Sequence, residues 1–278
     1  MKSILMLAAI VLFAYSCNKN ENTSITNDDI SQMQKDNYEE AVVDEFDQST
    51  DDITYQLDAA GYNTSGLKTA TCYTITIDTP DSNRFPKTIT IDYGTGCTSV
   101  VDGDTITRKG SLTMVVTGRY TQEGAIRSIS FNNFYINDVK FEGTRIVTTI
   151  GLDSQFNFSW TYELKNGKIT FPDGTYATRE SSMTRTRVSN GTLNRLDDYL
   201  NITGSVQGIN TRGEAYFREI VLPLRRNLGC RFFVSGAIEN TRNDNVFTID
   251  YGNGTCDRMA TLTKNGETTE IRLRWRNN

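Results

Sequence analysis

Four cysteines are the residues whose spacing most directly indicates chemistry. The element TIDYG occurs at residues 90–94 and again at residues 248–252. One copy lies between Cys72 and Cys97, and the other lies between Cys230 and Cys256. Four cysteines allow three disulfide pairings, and the repeat favours pairing within each copy. Each such bond would close a loop of roughly 25 residues and contribute about 3–4 kcal/mol in the chain-entropy description.

A run of alternating aromatic residues is the second feature that could bind something. Large rings recur at every second position at Phe156, Phe158, Trp160 and Tyr162. On one strand they would share a face, which is typical of a platform for sugar rings or of a lipid-facing groove. The alternative is the core face of a β domain, so the set is a candidate ligand face.

Arginines that alternate in the same way also allow two interpretations, a binding surface or a solvent-facing one. Arg179, Arg185 and Arg187 share one parity, as do Arg272, Arg274 and Arg276. Guanidinium groups on one face suit an anion or an acidic glycan, whereas a solvent-facing sheet surface would explain them equally. Asp92 and Asp250 of the two TIDYG elements would help to bind calcium, act as a general acid or hydrogen-bond their own turns.

Missing residue types exclude several kinds of catalysis. The chain contains no histidine, which excludes histidine-based triads, general bases and metal ligands. No Cys-x-x-Cys spacing occurs, so zinc and thioredoxin-like chemistry are not expected. We therefore predict no metal, no cofactor and no enzymatic activity, although carboxylates, tyrosine or lysine remain available for catalysis.

The first 17 residues indicate the compartment. A short apolar run, residues 4–13, ends at Ala14-Tyr15-Ser16-Cys17, which resembles a bacterial lipobox. The resemblance implies a signal peptide at residues 1–16, lipidation of Cys17 and a tether at residues 17–27. We expect an outer-membrane lipoprotein held to the membrane by its N-terminal lipid, with the periplasmic or surface side left open.

Acidic residues concentrate in the segment after the tether. Residues 28–58 hold eleven acidic residues and only Lys35 as a base, while the rest of the chain is mildly basic. Residues 28–61 are predicted as a helical segment, with Asn27 or Asp28 as N-cap, a break near residues 49–52 and Gly61 at the C-terminal end. The opposite charges of helix and body could attract each other, and neither is dense enough to predict nucleic-acid binding.

Alternation with period two begins near residue 68 and continues to the end, punctuated by turn dipeptides such as Asn166-Gly167 and Asn265-Gly266. The pattern predicts an all-β fold, a long antiparallel meander that forms an open barrel or stacked sheets. Internal duplication suggests a first β repeat at residues 62–160 and a second at residues 161–278.

These elements resemble a large family of uncharacterised cell-envelope lipoproteins from Bacteroidota. The similarity rests on the duplicated TIDYG-G-C element, the basic turns Arg108-Lys109-Gly110 and Lys264-Asn265-Gly266, and the middle segment from Thr184 to Cys230. It covers most of residues 68–275 and implies a compartment and a duplicated β body, but no activity. An Asp-Thr-aliphatic element leaves O-glycosylation of Thr105 open.

Three functions therefore compete. The leading expectation is a non-catalytic binding or structural module whose partner is a glycan, a lipid or a protein. A lipid or lipoprotein carrier with an open β half-barrel is the alternative, and it predicts a deep apolar cavity behind residues 156–162. A glycan-active enzyme is the second alternative, and it predicts a cleft with two carboxylates about 5–10 Å apart.

Overall fold

A single long helix and a long meander of strands make up the computed structural model of the protein. It describes residues 24–64, 72–78, 84–101, 104–192 and 197–273. The predicted signal peptide, Cys17, most of the tether, Arg274 and Arg276 lie outside these ranges.

The helix begins where side chains replace the missing backbone partners of its first turn. Helix α1 spans Asn27–Ala59, and its N-cap is Thr26 rather than the predicted Asn27 or Asp28. The Thr26 hydroxyl accepts from the Asp29 amide, and the Asp29 carboxylate accepts from the Thr26 amide at 3.1 Å. This reciprocal capping box satisfies two backbone donors at once, and the negative charge suits the helix N-terminus.

No break occurs in α1 where the sequence predicted one. The hydroxyls of Ser49 and Thr50 donate to the carbonyl oxygen of Phe46, each at 3.0 Å, so they bond within the helix instead of starting a turn. The predicted end at Gly61 is confirmed. Gly61 has φ +60°, and the amides of Gly61 and Tyr62 return to the carbonyls of Asp58 and Leu57.

Fourteen strands in one antiparallel sheet, counted over the described residues, confirm the predicted all-β class. The strands are β1 (Thr74–Ile77), β2 (Lys87–Asp92), β3 (Cys97–Val101), β4 (Asp104–Val116), β5 (Ile126–Ile136), β6 (Val139–Leu152), β7 (Phe158–Thr170), β8 (Tyr176–Val188), β9 (Tyr199–Ile209), β10 (Ala215–Asn227), β11 (Ser235–Arg242), β12 (Asn245–Asn253), β13 (Met259–Lys264) and β14 (Glu267–Arg272). They pair in chain order, except that β3 pairs only with β4 and β2 also pairs with β4. In the described part of the chain β1 and β14 each pair with one strand only and lie at the two edges of the sheet, so the sheet is open.

The sheet curls around α1. Asp44 and Glu45, neighbours on the helix, form ion pairs with Arg226 on β10 and Arg108 on β4. These strands are six places apart in the sheet, which on a flat sheet would separate them by about 29 Å. A helix with side chains is only about 10–12 Å wide, so the strands must wrap it to reach both residues.

Apolar side chains fill one stretch of this concave face. Phe46 of α1 meets Phe131, Phe134 and Phe141, with ring centroids 5.2, 5.9 and 5.8 Å away. Alternate residues of the strands join them, as Ile89 does on β2. The period-two pattern therefore reports this buried face correctly.

Both predicted disulfides are present. Cys72 bonds to Cys97 and Cys230 bonds to Cys256, with Cα separations of 5.2 and 5.9 Å. The predicted division between residues 160 and 161 falls inside β7, so the sheet runs without interruption through both sequence repeats.

Candidate functional site

Buried arginines line the concave face of the sheet. Within the described residues, eight of them form ion pairs with acidic residues of α1, and each is less than a tenth exposed. We call this set the arginine lining; its members are Arg108, Arg127, Arg145, Arg179, Arg185, Arg218, Arg226 and Arg242. The attraction expected between the acidic segment and the basic body is therefore an internal contact of the fold.

Asp47 is the most enclosed acceptor of the arginine lining. It is 1% exposed and accepts from Arg145 Nε at 2.9 Å, from a second nitrogen of Arg145, and from Arg185 Nη2 at 2.6 Å. Asp44 accepts from Arg226 Nη1 at 2.8 Å and lies 3.0 Å from Arg185 Nη1. Removing one partner from such a group would leave an uncompensated charge inside the protein.

Two adjacent glutamates show how position in the arginine lining decides the direction in which a pKa shifts. Burial raises the pKa of Glu40, but Arg179, which binds both carboxylate oxygens, and Arg218 outweigh it and lower that pKa to about 2. At Glu39 the order is reversed. Burial raises its pKa above the ordinary value despite the charges of Arg218 and Arg179.

A cavity lies between the C-terminal half of α1 and the sheet. Its volume is about 340 Å³, within the range of small-ligand pockets. Four helix residues and eight residues of the sheet and its loops line it: Gln48, Asp51, Asp52, Gln56, Tyr120, Trp160, Tyr162, Arg185, Arg187, Leu200, Arg226 and Leu228.

Three of the four residues of the candidate ligand face lie on one strand, β7. Trp160 and Tyr162 lie on β7, are 4% and 1% exposed, and line the cavity. Phe158 packs on Trp160 at 4.6 Å between ring centroids, without lining the cavity. Phe156 does not belong to the face. It precedes β7 in a turn with φ +63° and is 81% exposed, because the alternation in the sequence continues beyond the strand itself.

Three strands supply the cationic wall of the cavity. Arg187 on β8 pairs in register with Leu200 on β9, which pairs with Arg226 on β10. Arg185 lies two residues before Arg187 and therefore shares its face of the sheet. The interpretation of these arginines as a solvent-facing surface is wrong for Arg179 and Arg185, which point into the fold. Arg272 is exposed on β14, as a solvent-facing residue would be.

Donors outnumber acceptors in this wall. Among the described residues that line the cavity, every buried side-chain polar atom without a hydrogen-bond partner is a donor. Arg185 Nη1 belongs to this set but lies in an ion pair with Asp44. The others are the indole Nε1 of Trp160 and the Nε atoms of Arg185 and Arg226. Buried indole N–H groups usually find an acceptor.

Asp51 is the acidic counterpart on the helix side of the cavity. Arg127 Nη1 donates to its Oδ1 at 2.7 Å, and the Tyr162 hydroxyl donates to its Oδ2. Burial, followed by the charge of Asp51, raises the pKa of Tyr162 well above the ordinary value. Tyr162 is therefore a neutral donor that holds the carboxylate in place.

The aspartates of the TIDYG elements serve their turns. Asp92 Oδ1 accepts from the Gly94 amide and Asp250 Oδ1 accepts from the Gly252 amide, both at 2.8 Å. The repeated sequence thus folds into the same local structure twice. No group of three or more potential metal ligands occurs within the described ranges.

The acidic side chains of α1 were not predicted as site residues. The eleven acidic residues of residues 28–58 were the available signal, because a helix of that charge needs a basic surface to be buried. What the sequence did not reveal is which strand positions supply the bases.

Comparison with protein-family models, with curated proteins and with solved structures finds no match for this chain. In the part of the chain that the structure describes, no helix is both long enough and apolar enough to cross a membrane.

Proposed function

We propose that the protein is a non-catalytic lipoprotein of the cell envelope that binds a small ligand in the cavity beside Trp160. The observation that carries this proposal is a cavity of about 340 Å³ lined by Trp160 and Tyr162 together with Arg187, whose side chain is 25% exposed. A concave site with aromatic walls and a few polar groups is typical of small-ligand binding.

The direction of α1 supports a role as a tethered receptor. The cavity is lined by helix residues 48–56, whereas the proposed lipid is on Cys17, before the start of the helix. A rise of 1.5 Å per residue places residues 48–56 about 30–45 Å along the helix from Asn27. The cavity would then lie at the end of the protein away from the membrane. The resemblance to Bacteroidota lipoproteins belongs to the same proposal.

A lipid carrier is supported less well. Its expected deep apolar cavity behind β7 would need apolar walls, whereas the cavity beside Trp160 is lined by three arginines, two aspartates and two glutamines among its residues. Helix α1 also occupies the concave face that a carrier would keep for its cargo.

The glycan-active enzyme is favoured by one observation, the presence of Asp51 and Asp52 in the same cavity. However, both oxygens of Asp51 are bound by Arg127 and Tyr162. Such a carboxylate is positioned as a structural acceptor, which favours binding over acid–base chemistry.

A ligand screen tests the proposed function. Soluble protein lacking residues 1–17 is screened against glycans and lipids, and hits are measured again with Trp160→Ala and with Phe156→Ala. We expect a hit that Trp160→Ala abolishes and that Phe156→Ala, which removes an exposed ring outside the cavity, leaves unchanged. No hit, or a hit insensitive to Trp160→Ala, would reject the cavity as the binding site.

A further inference from the structure

The turn between β6 and β7 presents an aromatic ring that the fold does not bury. Phe156 is 81% exposed, and Leu152, the last residue of β6, is 61% exposed. Neither residue belongs to an apolar cluster of the described residues. We call residues 152–157 the β6–β7 tip. Exposed apolar side chains that lie together in this way are typical of interaction surfaces.

The backbone of Phe156 is unfavourable for an aromatic residue. It has φ +63°, in the left-handed region. Within the described residues, every other residue of positive φ in a turn between strands is glycine, asparagine or aspartate. These residue types adopt the region readily, whereas a bulky side chain is strained there. Phe156 therefore costs stability through its backbone, while its exposed ring contributes little burial in return.

Asp153 holds the β6–β7 tip in one shape. Its Oδ1 accepts from the backbone amides of Gln155 and Asn157 at 2.9 and 2.8 Å, and its Oδ2 accepts from the side-chain amide of Asn157 at 3.0 Å. The Phe156 amide donates to the Asp153 carbonyl oxygen at 3.1 Å. A ring that is already held in place loses little conformational entropy when it is bound, which favours a role as an anchor.

The apolar tip has an acidic border. Asp153 is exposed, and so is Glu123, whose Cβ lies 3.7 Å from the place that a Cβ on Gly151 would occupy. Neither carboxylate forms an ion pair within the described residues. The guanidinium of Arg187 on β8 is bound by Asp198 and does not neutralise them. A partner with basic side chains around an apolar pocket would complement this border.

Charge and position disfavour two other occupants of the tip. Two copies that met tip to tip would bring the carboxylates of Glu123 and Asp153 together, which costs free energy. The membrane of the proposed lipoprotein lies at the other end of the sheet. Strand β7 has 13 residues and is roughly 40 Å long, and Asp173 just beyond its end pairs with Lys35 near the start of α1. The tip, at the beginning of β7, is therefore far from the proposed lipid on Cys17.

We infer that the β6–β7 tip docks into an apolar pocket of a protein partner, with Phe156 as the anchor and basic side chains of the partner around Glu123 and Asp153. The site is separate from the proposed ligand cavity, which Phe156 does not line. Only the exclusion of the protein's own membrane rests on the proposed lipid anchor. Aromatic anchors seated in pockets supply a large part of the binding free energy at protein interfaces.

Stability measurements test whether Phe156 serves the fold or a partner. Phe156→Asn places at φ +63° a residue that adopts this conformation more readily, so the urea midpoint of unfolding of the full chain should rise. Tyr176→Asn is the control, because Tyr176 is an exposed aromatic residue at the start of β8, where asparagine is disfavoured. Its midpoint should not rise. An equal or lower midpoint in Phe156→Asn would show that the ring belongs to the fold and would overturn the inference.

Photo-crosslinking identifies what the tip contacts. The full chain with p-benzoylphenylalanine in place of Phe156, or in place of Tyr176 as the control, is irradiated in the cells that produce it. Adducts are identified by mass spectrometry, and a protein captured through position 156 alone is purified and titrated with the full chain in a non-ionic detergent. We expect Phe156→Asn to weaken this binding at least about tenfold. Glu123→Gln should weaken it less, and Tyr176→Asn should leave it unchanged.

The other outcomes overturn the inference. An adduct of phospholipid mass would assign the tip to a membrane, and an adduct between two copies would assign it to self-association. The absence of an adduct at position 156, or a captured protein whose affinity is insensitive to Phe156→Asn, would leave the tip without a protein partner. None of these results bears on the cavity beside Trp160, since its ligand screen uses Phe156→Ala as a variant that keeps binding.

Discussion

Two stretches of α1 carry acidic side chains but face the arginines of the sheet in different ways. Along residues 36–47 acidic side chains meet the arginine lining directly, and Asp47 is enclosed by Arg145 and Arg185. Along residues 48–56 Asp51 still pairs with Arg127, and the cavity opens beside it, lined by Trp160 and Arg226. Where opposite charges meet directly the contact is structural, and where a cavity lies between helix and sheet a ligand has room to bind.

The difference shows why buried arginine alone does not identify a binding site. Arg179 and Arg226 are almost equally buried. Within the described residues Arg179 donates three hydrogen bonds to Glu39 and Glu40, whereas Arg226 donates one, to Asp44 at 2.8 Å, and lines the cavity. The count of satisfied hydrogen bonds separates the two cases, and burial does not.

The largest expected effect is at the centre of the paired stretch. Asp47→Asn should lower the free energy of unfolding by about 3–5 kcal/mol, because Arg145 and Arg185 would stay buried without their common counterion. Urea unfolding measures it. Asp138→Asn is the control, since the ion pair of Asp138 with Lys109 is exposed and should contribute less than about 1 kcal/mol. Equal effects in the two variants would show that the arginine lining contributes no more than a surface pair.

Acid should weaken the paired stretch through Glu40. Its pKa in the folded protein is about 2, below the ordinary 4.5, so its contribution is present above pH 4.5 and is lost as the pH falls towards 2. The difference corresponds to about 3 kcal/mol. Glu39 changes in the opposite sense, because its raised pKa makes its contribution fall as the pH rises.

The measurement is urea unfolding of the wild type and of Glu40→Gln across this pH range. Glu40→Gln should remove most of the acid-induced loss, because the neutral amide does not titrate. If both proteins lost the same stability on acidification, the bond between Glu40 and Arg179 would not be the acid-sensitive contact.

At the edge of the cavity, Tyr162→Phe should lower the free energy of unfolding by about 1–3 kcal/mol. The variant leaves Asp51 without the hydroxyl donor that holds its Oδ2, while the bond from Arg127 remains. Thermal unfolding measures the loss. Unchanged stability would mean that water replaces the hydroxyl and that Asp51 is more accessible than the fold indicates.

The smallest effect is expected at Trp160. Trp160→Phe removes an indole N–H that has no partner in the described residues, so relief of that cost offsets part of the lost packing. We expect a change in the free energy of unfolding of no more than about 1 kcal/mol, together with weaker ligand binding. A loss comparable to that of Tyr162→Phe would assign Trp160 to the core and weaken the proposed site.

The sequence predicted the fold class, the disulfide pairing and the place of the helix from local rules. Period-two alternation, turn dipeptides and the TIDYG repeat each depend on residues that are close together in the sequence. The same rules wrongly placed Phe156 on a strand, because alternation in the sequence does not show at which residue a strand begins. They also predicted a helix break at residues 49–52, since hydroxyl groups that bond within a helix have the same sequence signature as a turn.

For the candidate site, the sequence provided Trp160 and Tyr162 but not the helix residues opposite them. Asp51 and Arg127 are 76 positions apart, and no spacing rule connects them. They meet because the sheet curls and brings strands that would be far apart on a flat surface to one helix.

The sequence by itself determined an all-β chain with two disulfides, an acidic helix and a basic body, because hydrophobic periodicity and cysteine spacing act over short distances. Only the tertiary structure decided that the helix lies inside the sheet and that arginines face inward. Ion pairing across a curved surface depends on which strands reach the helix, and that is a property of the curled, open sheet. The cavity beside Trp160 follows from the same geometry, since residues of α1 and of strands β7 to β10 line it together.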